Sequence, residues 1–308
     1  MAMEWEEAIR SAVKRTKSYL VETPTITSYN LNLPFPIQLK LEQMQHTGSF
    51  KPRGAFNTLL SEGAPKAGIV AASGGNHGAA VAFAAKTLGY NARIYVPEVA
   101  GSAKIALIEA MGADLQIVPG KYNDAMIQAQ AWKSKTGARQ VHAYDTVATV
   151  AGQGSLVYEW QVQGLTADTI FIAVGGGGLI AGAAAWFGKN KKIVAVEPVK
   201  TCALHTALKY GEPVDVEVSG VAVNALGAKR IGQICFDLAV ETEMHSVLVT
   251  DYEIIKAQQL LWSAHKQLVE PSGATALAAL TSGKYIPADE EKVAVLVCGA
   301  NIDPDPFS

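Results

Sequence analysis

The 308-residue chain carries 26 Lys and Arg against 28 Asp and Glu, a formal charge of −2, and 49% of its residues are apolar. That is enough apolar surface for one large or two intimately packed domains, with no basic excess of the kind that binds nucleic acid. The three cysteines, Cys202, Cys235 and Cys298, are far apart in sequence, odd in number and never in a Cys-x-x-Cys pair, which argues against a disulfide framework and a structural zinc site and points to a reducing compartment.

The opening residues are acidic and contain no segment of signal-peptide form, and no run of 18 apolar residues occurs anywhere. A soluble, cytoplasmic protein with no membrane partner is the expectation. Ile9, Ala12 and Val13 are spaced for a helix over 5–19, broken at Thr23-Pro24, and Ile37 to Leu41 reads as a short strand. The stretch Thr47-Gly48-Ser49-Phe50-Lys51-Pro52-Arg53-Gly54-Ala55 follows. A lysine wedged between an aromatic ring and a proline in a cramped turn has a lowered pKa and is an amine nucleophile able to form a Schiff base.

A regular alternation then begins. Strands are predicted at 68–72, 92–96, 115–118 and 140–144, separated by helices at 79–88, 102–111 and 122–136. A second series has strands at 169–174, 192–196, 246–249 and 293–297, with a helix running through Ala185. Strands alternating with helices of ten to fifteen residues imply right-handed crossovers and mostly parallel sheets. The two series suggest an α/β protein of two domains, each a mostly parallel twisted sheet flanked by helices. The smaller domain is expected at 63–146, and the larger is discontinuous, built from 1–62 and 147–308.

Ligands of parallel sheets bind beyond the carboxyl ends of the strands, and three loops there are unusual. Gly175-Gly176-Gly177-Gly178 runs from a buried strand into a helix, so its N–H groups can converge on a phosphate. It lacks the Gly-x-Gly-x-x-Gly spacing of a dinucleotide site, which counts against a nicotinamide dehydrogenase. Ser73-Gly74-Gly75-Asn76-His77-Gly78 is rich in donors and suits a carboxylate or a phenolic oxygen, or serves as a helix cap. Cys298 closes the last strand, before Gly299-Ala300-Asn301. Glu270-Pro271-Ser272-Gly273 reads as a helix start.

The lysine stretch, the Ser73–Gly78 loop, the tetraglycine turn and the final Cys-Gly-Ala-Asn, in this order, resemble the pyridoxal-phosphate enzymes of fold type II, the tryptophan-synthase-β-like group, and within it the serine/threonine dehydratase and serine racemase family. The resemblance extends from about Thr23 to Asn301. It implies that Lys51 carries pyridoxal 5'-phosphate as a Schiff base, that Phe50 packs beside the ring, that Asn76 bonds the phenolic oxygen and that Cys298 faces the pyridine nitrogen. Gly175, Gly176, Gly177, Gly178 and Leu179 would hold the phosphate. Ser73, Gly74, Gly75, Asn76 and His77 would hold the carboxylate of a small amino-acid substrate. The implied reaction is dehydration and deamination of a 3-hydroxy amino acid such as L-serine or L-threonine to a 2-oxo acid and ammonia.

Several departures refine that expectation. Racemases of the family carry a serine where this chain has Gly74, so little racemisation is expected. A divalent cation, Mg2+ or Ca2+, is implied near Glu197, but Ala203 stands where relatives have a second acid, which weakens the site. Ser219 replaces an aspartate often found before Gly220. The chain ends seven residues after Asn301, so no regulatory domain is expected. A homodimer is implied by the resemblance. The alternatives are an amino-acid racemase, a lyase for hydroxyaspartate or phenylserine, and a non-catalytic cofactor carrier or sensor. A hydroxyaspartate enzyme would need an extra cation, for which Arg53, Lys104 and Arg139 are the candidates.

Overall fold

The computed structural model describes residues 4–98, 100–120 and 122–302, the side chains of residues 103 and 104 excepted. Helix α1 (Trp5–Thr16) buries Ile9, Ala12 and Thr16, spaced three and four apart on one face, and ends before the expected Tyr19. Strand β1 (Thr25–Ser28) escapes the sequence pattern because, of its four residues, only Ser28 is buried. It lies at a sheet edge, antiparallel to β2 (Ile37–Leu41).

Helix α2 (Lys51–Glu62) starts at the lysine itself. The stretch expected as a cramped turn is therefore a first helical turn, where Pro52 is tolerated because its missing N–H would have no partner there anyway. Strands β3 (Ile69–Ala72), β4 (Ala92–Pro97), β5 (Asp114–Val118) and β6 (Arg139–Gln140) alternate with α3 (Asn76–Thr87), α4 (Ser102–Ala110) and α5 (Tyr122–Thr136). They form a parallel sheet in the order β5-β4-β3-β6. Strand β6 has two residues instead of five, since the His142 ring accepts the N–H groups of Tyr144 and Asp145 at Nδ1, 3.3 and 2.9 Å away, and bends the chain.

Helix α6 (Val147–Val162) leads into β7 (Thr169–Ala173), α7 (Gly178–Phe187), β8 (Lys192–Pro198), α8 (Ala203–Tyr210), α9 (Val223–Leu226), α10 (Gln233–Glu241) and β9 (His245–Val249). Helices α11 (Asp251–His265) and α12 (Pro271–Thr281) precede the last strand, β10 (Val293–Val297). The second sheet has the order β1-β2-β10-β7-β8-β9, parallel except for β1. Every residue of β7 and β10 is buried, which is why both read as unbroken apolar runs: parallel strands are covered on both faces.

A largely buried cluster of charges, half-buried only at Glu159, ties α2 to this sheet. The Arg53 guanidinium, 1% exposed, bonds both oxygens of Glu42 and, at 3.0 Å, both oxygens of Glu159 on α6. Lys40 on β2 reaches Glu159 at 2.6 Å, the Thr23 carbonyl at 2.8 Å and Gln163 at 2.7 Å. Two cations face two anions, and each charge is multiply hydrogen-bonded, the condition under which buried ions are tolerated. The first turn of α2, and with it Lys51, is fixed to β2 and α6 through this cluster.

Candidate active site

The Lys51 amine donates to the Ala143 carbonyl at 3.0 Å and lies 4.9 Å from the centre of the Phe50 ring. Burial pulls it down to about 8, against the opposing influence of Cys298 and Glu270. The amine is thus available as a nucleophile or base well below the range of a solvated lysine.

Ala143 belongs to the segment that lies on the tetraglycine turn. A Cβ at Gly178 would stand 2.8 and 2.9 Å from the Cα and carbonyl oxygen of Tyr144, and one at Gly176 would collide with the Tyr144 ring. Gly177 adopts φ +95°, a left-handed conformation that side chains disfavour. The glycines therefore let the segment that holds Lys51 close onto the turn.

Helix α7 opens at this turn without a side-chain cap, although Gly178, Leu179 and Ile180 are buried. The first N–H groups of a helix have no intrahelical partner, and their dipoles favour an anion. Helix α3, after Ser73-Gly74-Gly75, likewise has no side-chain cap. The Ser73 hydroxyl accepts the Gly75 N–H at 3.2 Å, within its own loop. The His77 ring, expected as a donor to this loop, turns away and bonds the Val141 carbonyl at 2.9 Å. Burial drives it down to about 3, so it is a neutral packing group.

The loop after β10 closes the site. Cys298, 3% exposed, directs its S–H to the Ser272 carbonyl at 3.3 Å, and burial pushes the thiol up to about 12. The Phe50 N–H bonds the Cys298 carbonyl at 3.2 Å, which brings the lysine turn and the last strand together. Asn76 donates from Nδ2 to Glu270 at 2.6 Å and accepts at Oδ1 from Asn301 at 2.9 Å.

The structure thus ties Phe50 to Cys298, Cys298 to Ser272 and, through Glu270, to Asn76, and sets the tetraglycine turn against the segment that holds Lys51, while the His77 ring points away. Sequence reasoning passed over Glu270 as a helix start, and over the Ala143–Tyr144 segment. The available signal for Glu270 was chemical: glutamate is not among the favoured N-cap residues. Nothing in sequence marks Ala143, which acts through its backbone.

Glu197 lies elsewhere. Its carboxylate is fully buried and accepts the N–H groups of Leu204 and His205 at 2.8 and 2.7 Å, capping α8. No group of three His, Cys, Asp or Glu residues suited to a metal occurs among the described residues. Both oxygens already face donors, so Glu197 serves as a helix cap in this chain. Arg53 is committed to its buried cluster, and Arg139 bonds the carbonyls of Glu62 and Gly63. The Lys104 side chain lies outside the described residues. A cavity of about 190 Å³ lined by His142, Tyr144, Pro213, Arg230 and Ile231 adjoins the segment that holds Lys51. No helix among the described residues is long and apolar enough to cross a membrane.

The family model described as pyridoxal-phosphate dependent enzyme matches residues 17–299. Phenylserine dehydratase of Ralstonia pickettii is 32% identical over 98% of this chain and 94% of its own length. Serine racemase of Dictyostelium discoideum is also 32% identical, over 96% of this chain and 94% of its own. Among solved structures, the processed form of threonine deaminase isoform 2 from Solanum lycopersicum superposes with a TM-score of 0.90 at 27% identity, covering 99% of this chain and 91% of that one.

Proposed function

We propose, since this chain belongs to the pyridoxal-phosphate dependent enzymes, that it dehydrates and deaminates a 3-hydroxy amino acid such as L-serine or L-threonine. The donor set fits the cofactor: a buried, uncapped helix start for a phosphate, and a half-buried amine of lowered pKa for an aldehyde. Gly175 to Leu179 would hold the phosphate, Lys51 the aldehyde carbon and Asn76 the phenolic oxygen, with Phe50 and Cys298 along the ring. When bound, the cofactor supplies a conjugated ring that spreads the electron pair left at the substrate Cα.

The chain's own residues supply the rest. The N–H groups at the start of α3 hold the substrate carboxylate. Lys51, with its amine free near pH 8, takes the proton from Cα. A neutral thiol at Cys298 imposes no positive charge on the ring nitrogen, which suits rapid loss of a β-leaving group over a long-lived carbanion. Hydroxide departs from Cβ with one proton, a net loss of water. One water then hydrolyses the released 2-imino acid to a 2-oxo acid and ammonia.

Packing at Gly74 argues against racemisation. A Cβ there would stand 2.5 Å from that of Ala100 and 3.0 Å from Val96, so the second acid of a racemase does not fit without a shift. Gly74→Ser alone should therefore fail to install Cα inversion.

A second reading, a larger side chain, rests on the cavity beside His142 and Tyr144, whose lining holds Asp145 and Arg230 as well. A site of about 150 Å³ suffices for benzene. The observation that carries the main reading is the half-buried lysine set against an uncapped glycine turn and a neutral thiol. The test is to supply purified holoenzyme with L-serine, L-threonine, 3-hydroxyaspartate and phenylserine and to follow 2-oxo acid and ammonia. Turnover of none of them removes the proposal, and preference for phenylserine selects the second reading. A homodimer in the cytoplasm is part of the same proposal, checked by light scattering and fractionation.

A further inference from the structure

Glu270 occupies the N-cap of α12, yet its side chain bonds none of the N–H groups of its own helix. The carboxylate, in a residue 2% exposed, turns instead into the site. Its Oε1 accepts the Asn76 Nδ2–H at 2.6 Å and the Ser272 hydroxyl at 2.8 Å. Oε1 is the acceptor in both contacts. The same oxygen would collide with a Cβ at Gly299, so the loop after β10 has a glycine where the carboxylate crosses it.

We propose that Glu270 is a positioning residue of this site, orienting the Asn76 amide so that it presents an N–H to the phenolic oxygen of the cofactor. The proposal rests on the reading of Lys51 as the amine that takes the cofactor, and not on which amino acid is dehydrated.

The role follows from donor and acceptor chemistry. Oε1 already accepts the Ser272 hydroxyl, so the Asn76 amide must present Nδ2 to Glu270 and Oδ1 to the opposite side. There the Asn301 amide donates to Oδ1 at 2.9 Å while its Nδ2 also bonds the Thr47 carbonyl at 2.7 Å, just before the lysine turn. The chain Ser272, Glu270, Asn76, Asn301, Thr47 fixes one of the two faces an amide can show. Asn76 keeps a second Nδ2 hydrogen for the cofactor oxygen.

Binding of pyridoxal 5'-phosphate, titrated by absorbance without any substrate, reads this role. In Glu270→Leu, which removes the acceptor that fixes the Asn76 amide, the cofactor dissociation constant should rise about tenfold. Because Glu270 acts through Asn76, the same substitution made in an Asn76→Ala background should weaken the cofactor no further. An unchanged dissociation constant in a natively folded Glu270→Leu protein, or a loss that persists undiminished in the Asn76→Ala background, overturns the proposal. Should Glu270→Leu not fold, Glu270→Asp, which withdraws the acceptor by one methylene, carries the same cycle. A parent protein that binds the cofactor and shows this coupling but turns over no 3-hydroxy amino acid would remove the dehydratase reading and leave this proposal standing.

Discussion

Helices α11 and α7 begin in opposite ways. Helix α11 opens with a complete capping box: Thr250 accepts the Glu253 N–H, and Glu253 accepts the Thr250 N–H at 2.7 Å. Its start is exposed and needs nothing more. Helix α10 takes its cap from a distance, with Asp145 accepting the N–H groups of Gln233 and Ile234 at 3.0 Å, and α8 is served by Glu197 in the same way. Helix α7 is buried at its start and has no side-chain cap at all. The N–H groups of a buried glycine turn without a side-chain cap are open to an anion in a way that those of α8, α10 and α11 are not.

Four variants probe that contrast, beginning with the group that the uncapped helix serves. Lys51→Ala should lose about a thousandfold or more in turnover, since the amine is both cofactor partner and base. Turnover retained in a 2-oxo acid assay would contradict the reading. Gly178→Ala places a Cβ against the Tyr144 backbone at the mouth of α7, and cofactor affinity, titrated by absorbance, should fall about tenfold or more. Asp145→Ala leaves two N–H groups of α10 without their carboxylate and should cost about 1 to 2 kcal/mol in denaturant unfolding. Thr250→Ala should cost about 1 kcal/mol while leaving cofactor affinity as it is. If Thr250→Ala weakened the cofactor as much as Gly178→Ala, the distinction between self-capped and ligand-capped helices would fail.

The alternation of strands and helices was legible because parallel strands such as β7 and β10 are buried throughout and leave long apolar runs. Edge strand β1 was not, since one buried side chain in four leaves no period to read. The lysine turn was recognised as chemistry but not as a helix, because Gly54 and Pro52 weigh against helix in any local reading. Lys51, Asn76, Cys298 and the tetraglycine turn could be found from residue type and order. The roles of Glu270 and Ala143 could not, because they arise from contacts across 194 and 92 residues of chain. The direction of the His77 ring was equally hidden, being decided by the carbonyl of Val141 on a different segment.

The Arg53 cluster has a consequence for how the protein should respond to ionic strength. Lys40, Glu42 and Arg53 have no appreciable contact with solvent, so mobile counterions cannot enter among them to screen their attraction. Exposed pairs such as Lys189 with Glu243 are open to such screening. The helix that carries the reactive amine should therefore hold its place in concentrated salt, leaving whatever sensitivity the enzyme shows to arise where anions arrive from water.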